Sequence, residues 1–262
     1  MTFDSSRELE PLDYAGILDK SLDLYAKNLP FVLSVAAGVY GPLIVLHLIG
    51  LIFFPITLDV SRLRPMLEVP AFWQYMPLVD YAAIFVANSA LLVALGYLLI
   101  GRRAAPTDVF RALKTRLPAI IGTSLLAAVA VFIGVRFLWV MGTLLFLPFA
   151  FIAEAVVLEN RRYIDAIQRS VFMTLLGGEM VRVVIIAAVI GVVSFLANWI
   201  VGWFLGWLPS GDVMKMVITV LFDLLNLALT PFSIFAMTLL YIDIRVRYDQ
   251  YDLHTLETEL PE

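Results

Sequence analysis

The chain has 262 residues, of which 61% are hydrophobic and only 15% charged, and its mean hydropathy is +0.92. A soluble domain is about 45–50% apolar and about 25% charged, so this composition excludes a soluble globular protein and points to a polytopic membrane protein with no room for a separate soluble domain. Cys is absent, which excludes disulfides and thiolate metal sites, and the formal charge of −4 says nothing about sidedness, which depends on where Lys and Arg sit.

The chain opens on Met1–Tyr14, an acidic stretch without an apolar h-region, so no cleavable signal peptide is expected. Residues 1–30 read as a cytoplasmic tail and an interfacial helix. Tyr14, Ile17, Leu18, Ser21, Leu24 and Tyr25 fall on one helical face, with Lys20, Asp23 and Lys27 on the other. A span needs about 20 apolar residues. Spans are expected at about 31–54, 76–100, 117–135, 137–158, 181–207 and 213–240, with a cytoplasmic tail over 241–262. The run from Leu117 to Leu158 would reach about 63 Å as one helix, so it is divided at Gly134-Val135-Arg136. Pro209, Ser210 and Gly211 mark the last external turn. Trp199, Trp203 and Trp207, with Trp73 and Tyr75, suit an external aromatic belt.

The 18 Lys and Arg residues test this parse. The N-terminal segment, the 2–3 and 4–5 loops and the C-terminal tail hold all but Arg62, Arg64, Arg136 and Lys215. The positive-inside rule then places both termini in the cytoplasm, in the cytoplasmic membrane of a bacterial cell. The fold class expected is all-α: one integral membrane domain over 1–262, six spans arranged as three hairpins, with amphipathic cytoplasmic helices. Three cytoplasmic segments, opening at Asp13, Asp108 and Asp165, each lead into a span and suggest a repeated unit.

Several stretches carry a family resemblance. They are Gly16-Ile-Leu-Asp-Lys-Ser-Leu-Asp-Leu-Tyr25, Val157-Leu-Glu159-Asn-Arg with Ala166-Ile-Gln-Arg169-Ser170, and Tyr241-Ile-Asp243-Ile-Arg245-Val-Arg247. Together they resemble the membrane domain found beside glycerophosphoryl diester phosphodiesterases, which also occurs as a stand-alone chain. The resemblance implies a membrane domain without the catalytic barrel. It also marks Glu159, Arg169, Ser170, Tyr241, Asp243, Arg245 and Arg247 as a candidate cytoplasmic-face motif. Where the family places an acid after the second Arg, this chain has Asp249. Independently of the family, Asp243–Arg247 and Arg245–Asp249 stand four apart and would pair on a helix.

Polar residues inside the spans form the second set of candidates: Asp223, Asn226, Glu154, Arg136 and Asn198. An intramembrane carboxylate is costly and is a functional candidate by default. Arg136 is the expected partner of Asp223, Glu154 is expected to snorkel or to meet Arg182 or Arg103, and His47 to sit alone among apolar residues. No Walker A, HExxH, GxSxG or CxxC pattern occurs, so no catalytic residue, metal or cofactor is assigned. The expected function is therefore a non-enzymatic scaffold, assembly or lipid-organising protein. Its expected partners are membrane lipids and a protein at the cytoplasmic face, with no nucleic acid. The alternative is a transporter or channel that uses Asp223 and Asn226.

Overall fold

The structure, a computed structural model, describes residues 9–53, 71–144, 147–175, 179–205, 207 and 212–261, and among them it is helical with no strand. In chain order the helices are α1 (Tyr14–Lys27), α2 (Leu29–Phe53), α3 (Ala71–Leu99), α4 (Pro106–Leu113), α5 (Leu117–Leu144), α6 (Ile152–Val157), α7 (Ile164–Leu175), α8 (Met180–Leu205), α9 (Asp212–Asp249) and α10 (Leu253–Glu259). A 3-10 turn, Leu147–Phe149, separates α5 from α6. Four segments are long and apolar enough to cross a membrane: Leu29–Gly50, Ala82–Leu99, Met180–Leu205 and Met216–Asp249. A fifth is added if α4 and the first half of α5, bent by 75°, count as one span.

The three Asp-led segments are helices. Asp13 caps α1 by accepting the Gly16 N–H at 2.7 Å, and Asp108 reaches back from the first turn of α4 to the Ala105 N–H at 2.9 Å. Asp165 sits in the first turn of α7. Carboxylates in these positions satisfy free N–H groups and complement the helix dipole. Each short helix seats its apolar face on the bundle: Ile17 from α1, Val109 and Leu113 from α4, Ala166 and Met173 from α7 are buried.

Helix α3 lies at the centre, in contact with α2, α5, α6 and α9. It is buried all round from Ala90 to Leu95, which is why that stretch has no polar face. Helix α8 is the opposite case. It packs chiefly on α9 and leaves Phe195, Trp199, Trp203 and Phe204 exposed, a surface suited to acyl chains. The side chains of Trp73 and Tyr75 lie outside the described residues.

Two boundaries differ from the sequence expectation. Helix α5 runs unbroken through Gly134-Val135-Arg136. One Gly costs a helix interior only about 1 kcal/mol, and Arg is a good helix former, so neither stops it. The expected span 137–158 is instead the end of α5, the 3-10 turn around Pro148, and α6. At six residues α6 rises about 9 Å, too short to cross a bilayer, and all six are buried. The second difference is α9, which does not end near Leu240 but continues to Asp249, stabilised by the two expected i,i+4 ion pairs.

Candidate functional site

The last turns of α9 organise a network of buried charges at the end of the bundle that carries the first and last described residues, here the terminal face. In sequence Tyr241, Asp243, Arg245 and Arg247 alternate like a strand. On a helix, at about 100° per residue, they resolve into two pairs on opposite sides: Asp243 with Arg247, and Tyr241 with Arg245.

On the first side the Asp243 carboxylate is 1% exposed and accepts from three directions. Arg182, in the first turn of α8, approaches to 2.6 Å, Arg247 Nε to 2.8 Å, and the Leu12 N–H to 2.5 Å. Arg182 and Arg247 both donate to the Leu12 carbonyl, at 3.0 and 2.7 Å. Arg182 also meets Glu179 at 3.0 Å and lies over the Tyr14 ring. The peptide just ahead of α1 is therefore gripped at both its N–H and its C=O.

On the second side Glu159 accepts from the Tyr241 hydroxyl, from Arg161 Nε at 2.8 Å and from Arg169 Nε at 2.8 Å. Burial pushes the Glu159 carboxyl up, but the Tyr241 and Arg169 hydrogen bonds and the Arg169 charge outweigh it, and the pKa is lowered. Arg169 also reaches Asp249 at 2.8 Å. Arg245 makes a two-pronged contact with Glu259, at 2.6 and 2.9 Å, and stacks 3.9 Å from the Tyr251 ring centre. The Tyr251 hydroxyl closes the ring by donating to Glu259 at 2.7 Å. Burial, together with the Glu259 charge, raises the Tyr251 pKa.

Local backbone geometry brings these groups in. Asn160 and Tyr163 both have positive φ, near 52° and 51°, and fold the α6–α7 turn so that Glu159 points at α9. That turn is fixed to α5. Arg116 donates to the Val157 carbonyl, the Tyr163 N–H donates to Thr123 Oγ1 at 2.9 Å, and the Tyr163 ring rests where Gly122 has no Cβ. Gln250, φ 53°, reverses the chain after α9, and Asp252 then caps α10 through the Thr255 N–H. Beyond α10, Leu260 fills the space over Gly96, and the Pro261 carbonyl accepts from the Tyr97 hydroxyl at 3.2 Å. Ser170 pins the 3-10 turn to α7: it donates to the Pro148 carbonyl at 2.7 Å and accepts the Phe151 N–H at 3.0 Å.

The intramembrane candidates do not converge on one place. Asp223 Oδ2 lies 3.2 Å from His47 Nδ1 on α2, so His47 is not alone among apolar residues. The side chain of Arg136, the partner expected for Asp223, lies outside the described residues. Asn198 on α8 donates to Asn226 on α9 at 3.4 Å. Glu154 neither snorkels nor meets Arg182 or Arg103. It is 3% exposed, accepts the Thr238 hydroxyl at 2.9 Å through Oε1, and leaves Oε2 without a hydrogen-bond partner among the described residues. Arg182 is held instead by Asp243 and Glu179.

Comparison with family models, with curated proteins and with solved structures finds no match. Among the described residues, no group of three or more His, Asp or Glu is placed to hold a metal ion. The chemistry of the terminal face is that of a clamp. Each of Asp243, Glu159 and Glu259 is engaged by Arg and by a hydroxyl or N–H donor, so its lone pairs are committed to holding chain segments together. Sequence reasoning missed the partners supplied from elsewhere: Leu12, Arg182, Glu179, Tyr251 and Glu259. The alternation after Tyr241 marked one half of each pair, and nothing linear marks the other half.

Proposed function

We propose that this chain is a non-enzymatic integral membrane protein, a scaffold, assembly or lipid-organising module of a bacterial cytoplasmic membrane. The single observation that carries this reading is the commitment of the Asp243, Glu159 and Glu259 carboxylates to internal arginines. None of these three carboxylates is free to act as a base or nucleophile. The terminal-face motif quoted above keeps the resemblance to the phosphodiesterase-associated membrane domain within this proposal, as a domain without the catalytic barrel.

The topology proposed is six crossings with both termini cytoplasmic. An even number of crossings is supported by the clamp, where Arg182 and Arg247 hold Leu12 on one side of α9 and Arg245 holds Glu259 on the other. Arg116 and Val157 also meet at this face, so the chain leaves it along α5 and is back at it by the end of α6. Two hairpins, α2 with α3 and α8 with α9, support four of the six crossings; α6, about 9 Å long, does not cross by itself. The bias of Lys and Arg toward this face supports a cytoplasmic location for it.

A photo-crosslinking residue at Arg162 or Gln168, both exposed on the terminal face, or at Trp199 on α8, tests the function in intact membranes. Discrete protein adducts are expected from the first two and lipid adducts from Trp199, with purified protein in liposomes carrying no flux above empty vesicles. Flux that requires Asp223 would replace this reading with a transporter or channel, and lipid turnover would replace it with an enzyme.

A further inference from the structure

His47 and Asp223 belong to a polar ladder between α2 and α9. One rung is the 3.2 Å His47–Asp223 contact, and the other brings the Tyr40 and Thr230 side chains next to each other. Tyr40 and His47 are seven residues apart on α2, and Thr230 and Asp223 are seven apart on α9. The two helices run antiparallel in one register, with rungs separated by about 10.5 Å. Asp223 lies about 30 Å along α9 from Asp243, a full hydrocarbon thickness. The ladder's ionisable rung therefore sits at the end of the bundle away from the clamp.

A titratable pair is an expensive way to join two helices in an apolar medium, because hydroxyl or amide side chains bridge helices without charge. Asn198 and Asn226 do so one turn from Asp223. What the imidazole adds over an amide is the ability to take a proton near neutral pH. The two side chains are also not sealed off, at 15% and 21% exposure. The described side chains of α3 include one titratable group, Tyr97, at the terminal face, and on α8 Arg182 is at that face too; from α1 the Tyr25 hydroxyl donates to the Ala228 carbonyl of α9 at 2.8 Å, and on α4 Asp108 and Arg111 pair with each other. Among the described side chains of the two helices, Tyr40, one rung away, is the nearest other titratable group.

We propose that His47 and Asp223 form a proton-binding site that couples the packing of α2 on α9 to the pH on the side of the membrane opposite the termini. The step is one protonation. Water delivers H⁺ to the imidazole, one N–H bond forms, and a neutral His beside a carboxylate becomes an imidazolium–carboxylate pair. In low dielectric that pair is stronger than the hydrogen bond it replaces, so the contact tightens as pH falls and loosens as pH rises. The Asn226–Asn198 bridge passes a movement of α9 to α8. This site stands apart from the clamp, and its existence does not depend on the scaffold reading.

The chain has no Cys, so paired spin labels can be placed without altering its background. Val45 on α2 and Leu224 on α9 are exposed and neighbour the pair. The V45C/L224C protein, labelled and reconstituted in lipid nanodiscs, would be measured by pulsed electron spin resonance at about pH 5 and about pH 8.5, either side of the usual His titration. The distance distribution is expected to be narrow at the lower pH and to lose that narrow component at the higher. His47→Gln and Asp223→Asn are expected to abolish the difference, while Asp223→Glu and Tyr40→Phe keep it. A wild-type distribution that is the same at both pH values overturns the proposal, whether or not the variants fold. So does a His47→Gln protein that keeps the full response.

Discussion

Arg247 Nε lies 2.8 Å from Asp243 Oδ2, and the two side chains grip the same residue from opposite ends: Asp243 accepts the Leu12 N–H and Arg247 donates to the Leu12 carbonyl. A pair four apart on one helix thus fixes a segment 231 positions earlier in the chain. The other pair, Tyr241 and Arg245, does the same for the α6–α7 turn and the C-terminal helix. The motif's alternation in sequence becomes two separate grips on two faces of α9.

Tyr241→Phe isolates one of these grips. The ring keeps its contact with Phe151, at 5.2 Å between centroids, and Glu159 keeps Arg161 and Arg169. Only the hydroxyl contact to a charged acceptor is lost, so the expected cost is about 2 kcal/mol. Thermal unfolding in detergent checks it, with Tyr241→Ala expected to cost more because the packing goes too.

The C-terminal segment depends on a missing side chain. A Cβ at position 96 would come within 2.5 Å of Leu260 Cδ2. Gly96→Ala is therefore expected to release α10, seen as faster protease cleavage after Gln250 and loss of about 1 kcal/mol. Leu260→Ala removes the opposing atoms, and adding it to Gly96→Ala should restore protection. Protection that stays lost in the double variant would show that Gly96 acts on something other than the tail.

The clamp has a definite acid dependence. Because the Glu159 pKa is lowered from the ordinary 4.5, its stabilising contribution is complete above that value and disappears as pH falls through the lowered one. Melting temperature followed from about pH 6 to about pH 3 should fall more steeply in the wild type than in Glu159→Gln. The Gln variant starts lower because its amide cannot form the charge-assisted bonds to Arg161 and Arg169.

Glu154 is expected to tolerate loss of its charge. Its Oε1 keeps the Thr238 contact if the group becomes an amide, and its Oε2 has no described partner to lose. Glu154→Gln should stay within about 1 kcal/mol of wild type, whereas Thr238→Val, which orphans both oxygens, should cost about 1–3 kcal/mol. Equal effects of the two substitutions would contradict this assignment.

What was legible in the sequence follows the distance over which each signal acts. The Asp243–Arg247 and Arg245–Asp249 pairs were readable because i,i+4 geometry is a property of any helix. The short helices at Asp13, Asp108 and Asp165 were readable because capping is local as well. The partners Leu12, Arg182 and Glu259 were not, since no sequence period links them to α9. Arg182 read as one more basic residue and as an expected partner of Glu154, and nothing tied it to Asp243. His47 is 176 positions from Asp223, and in a chain with two histidines it read as isolated. The expected break at Gly134–Arg136 failed because a polar residue in an apolar run marks cost and does not mark a stop. Pro148, within the turn that follows α5, was the better signal.

The clamp itself is tested most directly by a double-mutant cycle on Arg182 and Asp243, which are 2.6 Å apart with the carboxylate 1% exposed. Arg182→Gln leaves Asp243 with Arg247 alone and Asp243→Asn leaves Arg182 with Glu179 alone, and each should cost about 2–3 kcal/mol. The double variant removes both charges together. If the terminal face is a structural clamp, unfolding of the four proteins in detergent will give a coupling energy of about 2 kcal/mol or more, with the double variant little worse than either single. Costs that simply add, within about 0.5 kcal/mol, would show that these residues do not hold each other, and the clamp would be contradicted.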